Sequence, residues 1–349
     1  MKLYQPNFQY TSAMIKLIEQ ISLHEGKIRA HKIFPEQLNS IQSEANIEAV
    51  HFSTKLEGNQ LTLQQVTKAL TGQKIKVKEK RDLKEILNYS KARAYLFKKV
   101  ISGEELSLHL ILEAHKILQQ GIVIGGLKGH LRMAQNVISD ARTKKIIYMP
   151  PKPEDVKDLL KGLLSWCKES VLLKLSPLII SPIFHYQFVT IHPFMDGNGR
   201  LGRLLSNFIL AASGFEVAQY AALEKKHEED RKAYYQELRR SQRFNYYDIP
   251  PDIDLSQWIE YWLTCLRATY TEALSRLEKS QQPQERLLPP RLLKAISLFK
   301  RHIVLKAVEY ETLMGIGRTQ AVADLNELIS QKLIKKAGGG RSSRYRLCE

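Results

Sequence analysis

The chain has 349 residues, 44% of them apolar and 26% charged, with a formal charge of +17. That length exceeds one simple core and predicts two domains plus a smaller appendage, while the ordinary apolar fraction and evenly spread aromatics exclude a disordered or fibrous chain. The positive balance points to acidic proteins, nucleotides or nucleic acid as partners without choosing among them.

The greasiest stretch, Val171 to Phe184, is broken by Lys174, Pro177 and Pro182 and is too short to cross a bilayer. The amino terminus, MKLYQPNF, lacks a signal-peptide core. A cytoplasmic protein without a membrane partner is expected. Cys167, Cys265 and Cys348 lie far apart, with no histidines near them at ligand spacing, so neither a zinc site nor a disulfide framework is indicated.

Apolar residues recur at spacings of three and four from Met14 to the Tyr261 region, which predicts a mainly helical protein. Within its first part, Ser53-Thr54-Lys55-Leu56-Glu57-Gly58-Asn59 would place Ser53 and Glu57 on one helical face. The basic run Lys74 to Arg81 has the composition of a solvated loop, with steering of an acidic target as the less favoured reading. Gln135-Asn136-Val137-Ile138 and Lys145-Ile146-Ile147-Tyr148 flank the polar segment Ser139 to Lys144 and predict a β-hairpin, stopped by Pro150, Pro151 and Pro153. A long helix then carries Val156, Leu159, Leu160, Leu163 and Leu164 on one side.

The segment Phe184 to Gly214 carries the chemistry. A helix entered at Ser181-Pro182 should end near Ile191, because Pro193 disfavours the α conformation at His192. A second helix should run from about Arg200 to Gly214, with Leu201, Leu204, Leu205, Phe208, Ile209 and Ala212 as its buried stripe. Between them, Asp196-Gly197-Asn198-Gly199 lets the backbone turn sharply and point amide N–H groups at a ligand. Arg200 and Arg203 then stand in the first turn, where the helix dipole disfavours positive charge by about 0.3–1 kcal/mol each, so an anion should offset them. Together these features describe a polyphosphate cradle, with Asp196 as a hard oxygen ligand for Mg²⁺. His192 is the remaining reactive group, able to take the proton of an incoming hydroxyl.

Beyond Tyr261 the chain turns polar at Ser280 to Glu285, a predicted linker. A helix through Leu293, Ile296 and Phe299 follows, then Gly315-Ile316-Gly317 before a helix with Val322, Leu325, Leu328 and Ile329. Lys332 to Lys336 and Arg344 to Leu347 flank the triple glycine Gly338 to Gly340 as two short strands, which completes the pattern of a winged helix-turn-helix.

The stretch HPFMDGNGRLGR, His192 to Arg203, resembles the signature of Fic-family enzymes: HPF, any residue, Asp or Glu, GNGR, two residues, Arg. Every fixed position matches. The resemblance implies a protein adenylyltransferase that moves AMP from Mg-ATP to a Tyr, Thr or Ser hydroxyl of a target protein. In it His192 is the general base, Asp196 the Mg²⁺ ligand, Gly197, Asn198, Gly199 and Arg200 the phosphate loop, and Arg203 the γ-phosphate arginine. Asp196 and the intact GNGR separate the chain from relatives such as the Doc toxin, whose altered motif goes with phosphoryl transfer.

Ser53, Glu57 and Gly58 are similar to the inhibitory segment of autoinhibited Fic proteins of the class with an amino-terminal inhibitory helix; Glu57 would pair with Arg203. The hairpin resembles the family's flap, whose edge strand can hold an extended target segment by main-chain pairing. Tyr234, Tyr235 and Leu238, at helical spacing, resemble the wall of an adenine pocket, with core packing as the competing reading. The implied organisation is a helical arm over residues 1–85 with the inhibitory segment at 53–59, a Fic core over 86–280 with flap 134–148 and motif 192–203, and a winged-helix domain over 288–349.

Two alternatives stay open at this stage. The winged helix could make the chain a DNA-binding regulator, with Lys332, Lys335, Lys336, Arg341, Arg344 and Arg346 on phosphates; Arg318, Thr319 and Gln320 head the recognition helix, but Asp324 and Glu327 would repel a duplex unless turned away. A protein-contact role for that domain competes with it. Alternatively, Glu57 could orient a water and make the site remove AMP from a modified protein. Self-modification and a homodimer are compatible with all of these.

Overall fold

Three-to-four apolar spacing accounts for most elements of the computed structural model, which describes residues 4–31, 35–122, 127–140, 143–280, 289–301, 304–331, 333–337 and 343–348. The chain divides into two compact units, Met1–Ile33 with Leu38–Arg276, and Phe34–Gln37 with Leu277–Glu349. Among the described residues no helix is long and apolar enough to cross a membrane.

The first unit is built from helices α1 (Ser12–Ala30), α2 (Pro35–Leu56, from Leu38 on), α3 (Leu63–Leu70), α4 (Lys80–Ile101), α5 (Leu108–Leu118), α6 (Pro153–Leu172), α7 (Pro177–Ile191), α8 (Asn198–Ala212), α9 (Leu223–Glu229), α10 (Arg231–Arg240) and α11 (Ser256–Ser280, as far as Arg276). A hairpin of β1 (Ile138–Ser139) and β2 (Ile146–Tyr148) interrupts them. Helices α7 and α8 form the central pair, with α4 and α5 against α8 and α6 against α7.

Helix α7 starts at Pro177, ahead of the expected entry at Ser181-Pro182. Ser176 supplies the cap, its side chain accepting from the Leu178 amide, and Pro177 occupies the first helical position. Pro182 therefore sits inside the helix, where it costs a backbone hydrogen bond; packing overrides that cost, since every residue from Leu178 to Ile191 is buried. The single buried stripe expected for α8 is also too narrow: residues 201–210 are buried all round, whereas Ala212 is exposed. A helix covered by neighbours on several sides has no solvent face to make polar.

The second unit comprises α12 (Pro290–Arg301), β3 (Leu305–Lys306), α13 (Ala307–Met314), α14 (Arg318–Ser330), β4 (Ile334–Ala337) and β5 (Arg344–Leu347). Its antiparallel sheet has the order β3-β5-β4, so it includes a strand, β3, that the sequence pattern did not reveal. Gly315, with φ at 66°, caps α13 in the left-handed region and starts the turn into α14. Leu292, Ile296, Phe299, Tyr310, Leu325 and Leu328 form the core. In chain order the elements are helix, strand, helix, helix and two antiparallel strands. Lys332, Gly338 to Gly340 and Arg341 fall outside the described residues, as does most of the expected linker at Ser280 to Glu285.

Asp324 is only 2% exposed. It accepts from both Arg291 Nε (3.0 Å) and Arg291 Nη2 (2.9 Å), from Tyr310 Oη (3.2 Å) and from Gln320 Nε2 (2.9 Å). The acid that seemed to oppose a duplex is thus turned into the core and neutralised there. Arg291→Ala leaves this carboxylate short of its charged partner and should cost the second unit about 1–3 kcal/mol. Hydrogen exchange is expected to show α14 amides losing about ten- to a hundredfold in protection while α8 amides keep theirs.

Candidate active site

The loop joining α7 to α8 is held in a conformation that few residues adopt. His192 ends α7 with φ 52° and ψ 59°, a left-handed geometry that costs a residue with a Cβ about 1–2 kcal/mol. It leaves the right-handed helix before Pro193 as the sequence predicts, although not into an extended conformation. Gly197, at φ 84°, caps α8, and a Cβ there would also lie 2.2 Å from Gln119 Nε2. Asn198 closes the loop on itself, accepting from the Phe194 amide (2.9 Å) and donating to the Phe194 carbonyl (2.8 Å).

Residues outside the motif fasten this loop. Buried Arg132 donates from Nε to His192 O (3.0 Å) and from its backbone amide to Pro193 O (2.9 Å), and its guanidinium also reaches Pro151 O. Asn136 donates to Phe194 O (3.1 Å). These tethers explain why the first strand begins at Ile138 and not at Gln135: the residues ahead of it are turned toward the loop. The His115 ring stacks on Phe194 at 3.7 Å. Its Nδ1 accepts from the Gly129 amide (2.9 Å), so the ring proton is on Nε2 and is donated to Asp196 O (3.1 Å).

The charged groups form one connected cluster. Arg200 and Arg203 are each 2% exposed. Arg200 pairs with Asp196 Oδ1 (2.9 Å) and Glu85 Oε1 (3.1 Å). Arg81 pairs with Asp196 Oδ2 (2.5 Å) and Glu85 Oε1 (3.0 Å). Glu85 in turn accepts from Asn59 Nδ2 (3.2 Å), which lies just past α2. Arg81 is the single residue of the basic run that reaches this cluster. Glu85, Arg132 and His115 carry no motif that would have singled them out.

Arg203 is met by α2. Its Nε donates to Ser53 Oγ (2.8 Å), and Nη2 donates to Ser53 O (2.9 Å) and Glu57 Oε1 (2.8 Å). Nη1 has no hydrogen-bond partner among the described residues. A Cβ on Gly199 would stand 2.2 Å from Glu57 Oε1, so the carboxylate lies directly over the first turn of α8. Gly58, at φ 96°, follows the end of α2. Tyr235 Oη donates to Leu56 O (3.1 Å), Arg231 to Lys55 O, and Lys55 pairs with Glu228 (3.4 Å), which pins the segment against α9 and α10.

Of the expected adenine-wall residues, Tyr234 is turned into the core, its hydroxyl 2.8 Å from His185 Nε2. Leu238 is buried, whereas Tyr235 is half-buried beside the cationic groove formed with Arg231, Lys232, Gln236, Arg239 and Arg240.

Asp196 is the one motif carboxylate, and no cluster of three metal-ligating side chains occurs among the described residues. That donor set does not build a protein-only cage, but it fits Mg²⁺ shared between one carboxylate and substrate phosphates.

His192 is half-buried, and its Nδ1 lies 3.2 Å from Val189 O. A carbonyl can only accept, so Nδ1 carries the proton and Nε2 keeps its lone pair. Desolvation pushes the His192 pKa down to about 4, against smaller opposing effects of the Val189 carbonyl and Glu57. Burial likewise lowers His115 to about 4 and His185 to about 3. All three are neutral when folded and take up protons near pH 6.5 when unfolded. Their contribution to stability is therefore complete above about pH 6.5 and is lost as pH falls toward 4, because the unfolded chain then binds the extra protons. Denaturation midpoints should fall across that window, and the ring signals of His192 should titrate near pH 4 by NMR. In Glu57→Gly the His192 midpoint should move lower still.

Residues 105–210 match the Fic/DOC family. The chain is 29% identical over 256 residues to protein adenylyltransferase Fic of Nematostella vectensis, covering 71% of this chain and 56% of that protein. It is 33% identical over 170 residues to protein adenylyltransferase fic-1 of Caenorhabditis elegans, covering 48% of this chain and 32% of that protein. It spans about half, or less, of the length of the curated relatives it matches. A crystal structure of a Fic family protein from Desulfovibrio desulfuricans G20 superposes with a TM-score of 0.71 at 25% identity, covering 99% of this chain and 98% of that one. Fic-1 from C. elegans superposes with a TM-score of 0.64 at 26% identity over 77% of this chain and 74% of that one. Residues 105–210 of this chain thus form a Fic/DOC domain.

Proposed function

We propose that the chain is a protein adenylyltransferase that transfers AMP from Mg-ATP to a hydroxyl side chain of a target protein, and that Glu57 holds it shut. The observation that carries this reading is Arg203: a buried guanidinium beside the amino-terminal turn of α8, bound by Ser53 and Glu57, with an Nη1 that has no partner among the described residues. The Glu57 carboxylate occupies the place that an anionic phosphate would take over the Gly199 backbone.

With Glu57 withdrawn, Arg203 receives the terminal phosphate and the backbone of Gly197, Asn198 and Gly199 receives the rest of the chain of phosphates. Arg200 steadies Asp196. When bound, Mg²⁺ would be held by Asp196 and would neutralise phosphate charge; exposed Arg81 is the partner free to move aside. His192 Nε2 takes the proton of the incoming hydroxyl. The hydroxyl oxygen bonds to the α-phosphorus as the bond from that phosphorus to the bridging oxygen breaks, and pyrophosphate leaves. Tyr235 flanks the adenine, with Leu238 and Tyr234 packed behind it. The short hairpin of β1 and β2, tied to the loop through Arg132 and Asn136, supports an extended target segment beside His192.

Incubation with α-labelled ATP, Mg²⁺ and lysate protein tests this. Glu57→Gly should raise label transfer about a hundredfold, since each 1.4 kcal/mol of broken ion pair is roughly tenfold. His192→Ala in the Glu57→Gly background should lower it by about a hundred- to ten-thousandfold. If release of Glu57 leaves transfer unchanged, the brake is wrong; if loss of the imidazole does, the general base is wrong.

A further inference from the structure

The sheet of the second unit carries an electrostatic feature that its own fold does not require. Strand β5 pairs with β3 on one side and β4 on the other, with Leu305 opposite Tyr345, Lys306 opposite Arg344, Lys335 opposite Arg346 and Ile334 opposite Leu347. Because side chains alternate along a strand, Leu305, Ile334, Tyr345 and Leu347 belong to the inward face. All four belong to or pack against the core. Lys306, Lys335, Arg344 and Arg346 share the outward face, and all four are exposed. Lys336, also exposed, is in register with Tyr345 and is not part of this set.

Two like-charged pairs therefore stand directly across from one another, an arrangement that destabilises a sheet. No carboxylate side chain pairs with any of the four among the described residues. Glu309 is close to Lys306 but accepts from its backbone amide at 2.8 Å, not from its ammonium group. Helix α14 lacks a comparable charge: Arg318 and Glu327 are both exposed and cancel, and Asp324 is buried on Arg291.

We propose that this outward sheet face binds the phosphate backbone of a nucleic-acid duplex, and that the sheet, more than α14, supplies the affinity. Neighbouring strands set the cations about 4.8 Å apart, and alternate residues on one strand set them about 6.7 Å apart. Ala337, the remaining side chain on this face, offers no hydrogen bond. Such a surface neutralises evenly spaced charge and reads no base edges, which suits a polyphosphate of uniform charge. It also carries no aromatic ring on which an unpaired base could stack, because Tyr345 belongs to the other face; this favours a duplex over a single strand.

Fluorescence anisotropy of the full chain with labelled random-sequence DNA and RNA duplexes, between 50 and 200 mM salt, tests the proposal. Four neutralised phosphates should contribute a slope of about −3.6 in log affinity against log salt. Lys335→Ala/Arg346→Ala should make the slope shallower by about 1.8 and weaken binding at low salt at least tenfold, with hydrogen exchange in β4 and β5 unchanged and AMP transfer unaffected. Binding to both duplexes, or to one of them, with this loss supports the proposal and identifies which nucleic acid is held. Three results overturn it: unchanged affinity and slope in the double variant, a larger loss from Arg318→Ala, or stronger binding of single strands or polyglutamate than of either duplex.

Discussion

The first unit is organised around the need to satisfy one buried cation. Arg203 lies near the positive end of α8 with 2% of its surface exposed, so it is desolvated and unfavourably placed in the helix dipole. Its acceptors come from a segment 150 residues earlier, Ser53 Oγ and the Ser53 carbonyl, together with Glu57. To deliver them, α2 must end where it does, with Gly58 turning the chain and Arg231 and Tyr235 gripping the last carbonyls of the helix. Gly199 must lack a side chain for the carboxylate to come so close. Each of these features is separately ordinary, and they are linked by the requirement that a guanidinium leaving water must find an anion.

Charge balance around the loop sharpens the point. Arg81 and Arg200 face Asp196 and Glu85, and Arg203 faces Glu57. Three cations thus meet three carboxylates before any ligand arrives. The sequence suggests a cradle with surplus positive charge, but the fold holds one that is already neutralised. Under the proposed function a polyanion would have to displace a carboxylate to enter, so nucleotide affinity and the grip of α2 on the site would compete for the same donors.

The loop itself combines strain with fixation. His192 occupies a left-handed conformation, yet its carbonyl, the next carbonyl and that of Phe194 are each held by Arg132 or Asn136, while His115 supports Asp196 from below. Backbone strain persists only where the surroundings over-determine it. Here the result is an imidazole whose tautomer is set by Val189 O and whose neutrality is set by burial. The second unit treats charge in two ways: it neutralises Asp324 inside with Arg291 and leaves the cations of its outer sheet face without a carboxylate partner among the described residues.

The helical character, the hairpin and the helices of the second unit were legible in sequence because each depends on local spacing or on turn residues with a fixed conformational preference. The loop from His192 to Arg203 was legible for the same reason, since its glycines, histidine and arginines are adjacent in the chain. Pairing of Glu57 with Arg203 was reached through resemblance and not through spacing. What tertiary structure alone decided was which distant side chains meet: Glu85, Arg81, Arg132 and His115 at the loop, Asp324 turned inward onto Arg291, and Pro182 kept inside a helix by its buried surroundings. No local pattern encodes those contacts, because they follow from which helix faces are pressed together when the core excludes water and every buried charge must find a partner.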